Sequence, residues 1–433
     1  VSDFDAVDIP DPAGDGTTNT GKFEPGSVKI NSANIVAESG RIDITNLIVN
    51  LTIYESIMCP FITGSVSLYD TNALGDLFPL IGEELFLLDI ETPMGGGSDD
   101  ELVRRKYVFH LYKMEGRENA AVKNVMYTLH FMSTEAVVDM NTRISQTFRG
   151  KISDTVRRLL TTSPGLRSAK TLLIEETANA DVYTSNFWTP VENIMYCAKR
   201  AVNQVNNPNY VFFEAGDALV FSSLDKLYSL PPVQFFKKDQ ASRQGKSIEN
   251  VDIEYQKVLD MSTPILYDYI ERLHHGMYGG SIYHFDIETK RLNFAARVGK
   301  DDYKKVNLNT IETFGEGLQF HPYGQLRTQV IHKDLYTNTP VLPIDHGIRR
   351  LSLLKRSESL KTTIQVFGRF DYTVGRTVDL LVYKDTNISS GETDVIDKLM
   401  SGRYLITALT HSISGLSHMV YMELSKDSLV SEN

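Results

Sequence analysis

The chain has 433 residues, too many for one ordinary core, so two to four domains are expected. Its composition, 42% hydrophobic and 23% charged, is globular, and no run of about eighteen apolar residues marks a transmembrane helix. A formal net charge of −11 argues against a surface that wraps nucleic acid by neutralising phosphates, although not against a channel through which nucleic acid slides.

Residues 1–26 read as a flexible acidic arm. Asp3, Asp5, Asp8, Asp11, Asp15 and Glu24 stand against Lys22, with Pro10 and Pro12 among them, and such a segment buries too little apolar surface to offset its ordering entropy. Phe4, Val7, Ile9 and Phe23 could anchor it on a neighbour. It has no basic n-region and no apolar h-region, so a cytosolic origin is expected.

Residues 27–135 keep a period of two and are expected to form a first β-barrel. Val28 and Ile30 begin the pattern, followed by Ile42, Ile44, Leu47, Val49, Leu51 and Ile53, by Val66 and Leu68, and by Leu85, Leu87 and Asp89. Further strands are expected over 106–115 and 123–132. The glycines of 94–100 suit a mobile hairpin loop; a phosphate cradle would need a helix and a Lys directly after them.

Residues 136–231 change to mixed α/β character. Ile152, Val156, Leu159 and Leu160 recur at helical spacing up to Ser163-Pro164-Gly165. A second helix is signalled by Thr189 as N-cap, Pro190 at the first helical position and Glu192 completing a capping box, a cap worth about 1 kcal/mol. Tyr210 to Glu214 and Leu219 to Ser222 read as a hairpin turning at Ala215-Gly216-Asp217.

Residues 232–270 together with 359–433 are expected to form a second barrel, interrupted by an inserted domain at 271–358. Strand-like runs stand at Val233 to Phe236 and Ile248 to Tyr255. The most regular stretch of the chain is Leu360 to Leu424. There Thr362, Ile364 and Val366, then Val378, Leu380 and Val382, alternate with polar neighbours, as in an antiparallel meander of four strands. The expected class is α+β, mainly β, with two antiparallel, tube-like β-barrels and inserted α/β domains.

No residue is assigned to catalysis, cofactor binding or a metal. His274 and His275 are adjacent and point apart, which does not make a two-ligand face, and a helix C-terminus suits the pair better. His411 falls mid-hairpin and reads as structural. Cys59 and Cys197 sit in apolar runs, as buried thiols do. An acid pair for glycoside hydrolysis could be assembled from residues such as Glu192 and Glu214, but nothing selects one pair over another. The basic runs at Arg104-Arg105-Lys106 and Arg349-Arg350 read as solvated faces or subunit contacts.

The step Phe370-Asp-Tyr-Thr-Val-Gly-Arg-Thr-Val-Asp-Leu-Leu-Val382 and the hairpin from Gly402-Arg-Tyr-Leu-Ile-Thr-Ala-Leu-Thr-His411 to Met419-Val-Tyr-Met-Glu-Leu424 resemble the last barrel of the central baseplate hub protein of T-even-type contractile phage tails. Related barrels occur in other tail hubs and at the base of type VI secretion spikes. The resemblance runs back through Asn186 to Tyr196, Tyr210 to Glu214 and Ile282 to Phe285, covering roughly Ser27 to Leu429. It implies a virion structural protein, not an enzyme: a homotrimer joining the sixfold tail tube to the threefold central spike, contacting tube, spike and other baseplate proteins. It further implies a place in the virion tail baseplate, assembly in the host cytoplasm, DNA met only in transit through an ejection channel, no cofactor and no membrane insertion. The competing reading is a carbohydrate-binding or carbohydrate-processing β-protein of a phage tail fibre or cell surface. The aromatic content suits it; the single Trp188 and the lack of repeats do not.

Overall fold

The structure is a computed structural model that describes residues 25–38, 40–71, 80–93, 102–121, 124–238, 254–264, 268–278, 280–286, 290–298, 307–309, 311–312, 325–331, 346–384 and 396–429. The expected arm up to residue 24, the 94–100 loop and most of the strand expected at 248–255 lie outside these residues. The described chain is mainly β, with helices attached, and is of the α+β class.

The first seven strands are β1 (Lys29–Ala37), β2 (Gly40–Asp43), β3 (Ile48–Ser56), β4 (Thr63–Asp70), β5 (Leu85–Pro93), β6 (Leu102–Ala121) and β7 (Asn124–Ser133). They lie in the order β2-β1-β5-β6-β7-β4-β3, antiparallel throughout. Alternation decides which face is core: Leu51, Ile53, Val66 and Leu68 are fully buried around a ring cluster in which Phe131 lies 4.5 Å from Phe109 and 5.3 Å from Phe86. On β5 the buried residues are Phe86, Leu88 and Ile90, the opposite phase to the expected Leu85, Leu87 and Asp89. Both phases of that strand are apolar at first, and the one that ends in Asp89 faces out, where Arg104 meets the carboxylate at 2.7 Å.

A mixed module follows. It contains β8 (Thr147–Lys151), β9 (Thr171–Ile174), β10 (Ala180–Thr184), β11 (Tyr210–Ala215) and β12 (Ala218–Ser223), with helices Thr134–Asn141, Ile152–Thr161, Pro190–Arg200 and Leu224–Tyr228. The capping box forms as the sequence indicates: the Glu192 amide donates to the Thr189 hydroxyl at 3.1 Å, and the Thr189 amide donates to the Glu192 carboxylate at 2.8 Å. Every residue of β11 and β12 is buried. One face of this hairpin, with Phe212, Leu219 and Phe221, packs into the mixed module's own core, whereas Val211, Phe213 and Val220 pack into the second barrel-like module. A hairpin covered on both faces needs a continuous apolar run, and Tyr210-Val-Phe-Phe supplies it.

The second sheet module begins with β13 (Pro232–Lys238) and β14 (Asp260–Ser262). The chain then leaves for β15 (Gly280–Asp286), β16 (Arg291–Val298), β17 (Ile311–Glu312), β18 (Gln325–Ile331) and the helix His346–Arg356. It returns as β19 (Leu360–Phe367), β20 (Thr377–Val382), β21 (Gly402–Ser414) and β22 (Ser417–Lys426). The order is β13-β20-β21-β22-β19-β14. Instead of the expected four-strand meander, β20, β21 and β22 run consecutively while β19 lies beside β22, a Greek-key placement. β13 pairs with β20 in parallel, and Lys237 bridges to Lys257 just before β14, which closes the module by backbone bonds from Lys237 to Gln256 and from Val258 to Lys237. Tyr255, placed on a strand by the sequence pattern, sits in a helical turn.

The two sheet modules share one strand order. Taking β1, β3, β4, β5, β6 and β7 as first to sixth gives first-fourth-fifth-sixth-third-second, and β13, β14, β19, β20, β21 and β22 give the same. Only the direction of the first pair differs, antiparallel in one and parallel in the other. Strand β21 joins the modules: up to Leu405 it pairs with β20, a bulge falls between Ile406 and Ala408, and from Ala408 onward it pairs with β3. The result is one sheet of thirteen strands.

Gly64 shows how closely the first module is packed. A Cβ at this position would lie 2.3 Å from the Thr52 carbonyl oxygen and 2.4 Å from the Phe131 ring. Gly64→Ala is expected to destabilise the chain by about 1–3 kcal/mol, read as a lower denaturant midpoint with unchanged slope.

Candidate functional site: the junction of three modules

Several of the ionisable residues that the fold buries, Glu55, Glu135, Glu214, His411 and His418 among them, lie where modules meet. β3 carries Leu51, Ile53 and Glu55 along its inward phase, with Ile57 buried just beyond its end, so Glu55 enters the core with its apolar neighbours and is 3% exposed. Its carboxylate accepts from the Gly216 amide at 3.2 Å, in the β11–β12 turn, and from the Val374 amide at 3.4 Å, in the second sheet module. Burial drives its pKa up to about 7, against the two amides and nearby Arg105. Arg105 on β6 completes the joint, donating to the Phe370 carbonyl at 3.2 Å and to Asp217 of the same turn at 3.0 Å.

A second group ties the first sheet to the mixed module. Glu214, on β11, accepts from the Ser133 hydroxyl at 2.6 Å and from the Ile62 amide at 3.1 Å. Lys170 reaches Glu214 and Glu135, both at 2.6 Å. Burial opposes charge at all three residues. It prevails at Glu214, whose pKa is raised; at Glu135 the Lys170 ammonium outweighs it and holds the pKa down; at Lys170 the two carboxylates outweigh it and hold the pKa up.

The third group is a pair of imidazoles. His411 and His418 face each other across β21 and β22, with Nδ1 of His411 2.9 Å from Nε2 of His418, and Phe370 lies over both rings. The Nδ1 of His418 has no hydrogen-bond partner among the described residues, and the tautomer that leaves no buried N–H unsatisfied there is the one whose Nε2–H donates to His411. Burial holds both neutral: His418 is pushed down to about 3 and His411 well below its usual range. Gly368 leaves room for the pair, since a Cβ there would lie 2.3 Å from the His418 ring.

Residues singled out from the sequence take different places. Glu192 serves the helix cap and Glu214 the Lys170 group. His275 ends the helix Tyr269–His274 and lies 3.8 Å from Glu271. Arg350 is half-buried and turned towards the α/β module, where it donates to the carbonyls of Ala198 and Pro208, both at 2.9 Å, and of Tyr210 at 2.8 Å. Cys197 is buried, but Cys59 is exposed, because it lies in the turn where its amide bonds Ser56. Trp188 stacks with Tyr183 and Tyr196.

The recess lined by Asp268, Glu271, Arg272, Lys355, Glu358 and Lys361 has a volume of about 210 Å³, and within it Glu358 pairs with Lys355 at 3.2 Å and Lys361 at 3.5 Å. Among the described residues no cluster of three His, Cys, Asp or Glu could hold a metal, and no helix is long and apolar enough to cross a membrane.

Two outcomes follow from this geometry. Lys170→Ala leaves two buried carboxylates without their cation and should cost about 3–5 kcal/mol in denaturant unfolding; a loss below 1 kcal/mol would show that the group does not hold the modules. The pH dependence has two opposed limbs. The folded-state pKa of Glu55 is raised from 4.5, so its contribution is full below that pH and lost as pH rises to about 7. The folded-state pKa of His418 is depressed from 6.5, so its contribution is full above that pH and lost as pH falls towards about 3. Below pH 4.5 only the imidazole limb of these two remains, and it should flatten by several kcal/mol in a His411→Phe/His418→Phe variant. Parallel acid limbs in wild type and variant would refute this.

No family model matches the chain, and no curated protein matches it. Solved structures do. The tail protein from Neisseria meningitidis MC58 is 12% identical, with 93% of this chain and 97% of that one covered and a TM-score of 0.53. The 43 kDa tail protein of prophage MuSo2 from Shewanella oneidensis is 9% identical, with 92% and 98% covered and a TM-score of 0.52. The likeness covers nearly the whole of this chain, and the chain has the fold of these two tail proteins.

Proposed function

We propose that the chain is a structural, non-catalytic hub protein of a contractile phage tail baseplate. The observation that carries this reading is the repeated strand order of the two sheet modules, fused side by side through β21 and β3. A trimer of such chains offers six similar modules in a ring, which matches a sixfold tube on one side and a threefold spike on the other. The shared fold with tail proteins supports the same reading. On this proposal the chain divides into an arm at 1–26, tube-like modules at 27–135 and at 232–270 with 359–433, the α/β module at 136–231 and the insertion at 271–358. Its partners are two further copies, the central spike, the tail tube and neighbouring baseplate proteins, and its place is the virion tail. DNA passes through the ring without being held, in keeping with the net charge of −11.

Native mass measurement should give a trimer, alone or with a spike protein, and electron microscopy should show rings with a central hole. A chain that stays monomeric when bound to its spike would overturn the proposal. So would peptidoglycan cleavage by the pure protein that is lost on changing one acidic residue.

A further inference from the structure

A basic corner of the α/β module is masked in the composition. Between residues 143 and 167 the exposed Arg143, Arg149, Lys151, Arg157, Arg158 and Arg167 face one acid, Asp154. Elsewhere in the module four acids are turned inward and satisfied there. Glu135 and Glu214 hold Lys170, Asp181 takes the Arg200 guanidinium at 2.5 Å, and Asp225 accepts from the amides of Asn203, Asn207 and Asn209. Four further acids lie on nearby elements: Glu176 pairs with Lys151 at 3.4 Å, Glu175 accepts from the Ser223 amide at 2.7 Å, Asp139 accepts from the Val191 amide and Glu192 is engaged in its helix cap.

The same module presents two apolar side chains to solvent, next in sequence or by hydrogen bond to the start of this basic stretch. Phe187 is 70% exposed and has a φ of 61°, in the left-handed region that a phenylalanine rarely adopts. It is held there from both sides: the Ser185 amide donates to Gln146 at 2.8 Å, the Ser185 hydroxyl to Ile144 at 2.9 Å, and the Ile144 amide to Trp188 at 2.9 Å. Met140, 60% exposed, ends the helix that Asp139 fastens to the Val191 amide at 2.7 Å. Arg143 donates to the Met140 carbonyl, and Arg158 lies over Phe148, which stacks on Tyr183 and through it on Trp188. A strained backbone that fixes an exposed aromatic on the module that carries these bases is the form of a docking site.

We propose that this corner binds the segment from Asp3 to Asp11 of the chain's own amino-terminal arm. That segment reads Asp-Phe-Asp-Ala-Val-Asp-Ile-Pro-Asp, four acids and no base, with Phe4, Val7 and Ile9 set between the acids. It complements both features of the corner at once: its carboxylates answer the arginines, and its apolar residues cover Phe187 and Met140. The described chain starts at Pro25, and the intervening residues can span roughly 45 Å. A nucleic acid duplex would satisfy the arginines but leave the two apolar side chains wet. The docking is independent of the hub reading.

The test is amide hydrogen exchange on the full chain, with a synthetic peptide of residues 1–24 as the unprotected reference. At low salt the amides of 3–11 should exchange about tenfold or more slowly than in the peptide, and the protection should fall at about 0.5 M salt. Arg149→Glu/Arg157→Glu, on exposed positions, should remove the protection, Phe187→Ser should weaken it, and adding Asp5→Lys/Asp8→Lys to the first pair should restore part of it. Exchange at the peptide rate in the unaltered chain overturns the proposal, as does protection that survives Arg149→Glu/Arg157→Glu. Duplex DNA bound by the unaltered chain and lost in that variant, while 3–11 exchange at the peptide rate, would assign the corner to nucleic acid instead.

Discussion

The Glu55 carboxylate is the interaction on which the arrangement of modules depends. It belongs to a strand of the first sheet, yet its acceptor capacity is used by an amide from the mixed module and an amide from the second sheet module. Removing such a carboxylate would leave two buried N–H groups unsatisfied, at a cost of about 1–3 kcal/mol each. Keeping it costs desolvation, seen as a pKa raised to about 7. Arg105 offsets part of that cost and reaches the same two neighbours through Phe370 and Asp217. The three modules are therefore in register only when one strand, one turn and one loop all arrive at the same point.

The bulge in β21 is the backbone counterpart of that joint. A strand that served only its own module would leave β3 with an open edge, a template for unwanted pairing. By passing from β20 to β3 within a single strand, β21 covers that edge and makes the two modules one sheet. The handover places Thr407 at the bulge, where its hydroxyl donates to Glu423 at 2.6 Å and its carbonyl accepts from the Ile57 amide at 2.9 Å. Ile57 lies two residues beyond Glu55, so the backbone joint and the buried carboxylate belong to the same few residues.

Much of this was legible in the sequence. The period of two marked both sheets, and Thr189, Pro190 and Glu192 marked a helix start that forms with both capping hydrogen bonds. The buried ionisable groups were legible too, though no motif carries them. Glu55 follows Leu51 and Ile53 on the inward phase, Lys426 follows Met422 and Leu424, and His411 sits between Leu409 and Ile413. A charged residue on an apolar phase is a signal of a buried partner, but the phase does not say which partner. Glu55 meets residues 161 and 319 positions away, and no local pattern carries a separation of that size. The phase of β5 failed for a related reason: where both phases are apolar, only packing against other strands decides which is inside. The Greek-key position of β19 was equally hidden, because alternation fixes the face of a strand and not its neighbour.

Buried polar groups were used at this junction although apolar residues could have filled the same volume. An apolar joint holds modules together but tolerates sliding, since burial is non-directional and nearly indifferent to small shifts in register. A carboxylate that must meet two amides, or an imidazole that must meet one nitrogen, loses its partner on a shift of about one residue, and the penalty for an unsatisfied buried group then falls on every wrong alignment. Desolvation lowers the depth of the correct arrangement and steepens its walls. Geometry of that kind matters most where modules of similar topology sit side by side, because their strands could pair in more than one way, and Glu55 on β3 and His411 on β21 lie on the two strands that join them.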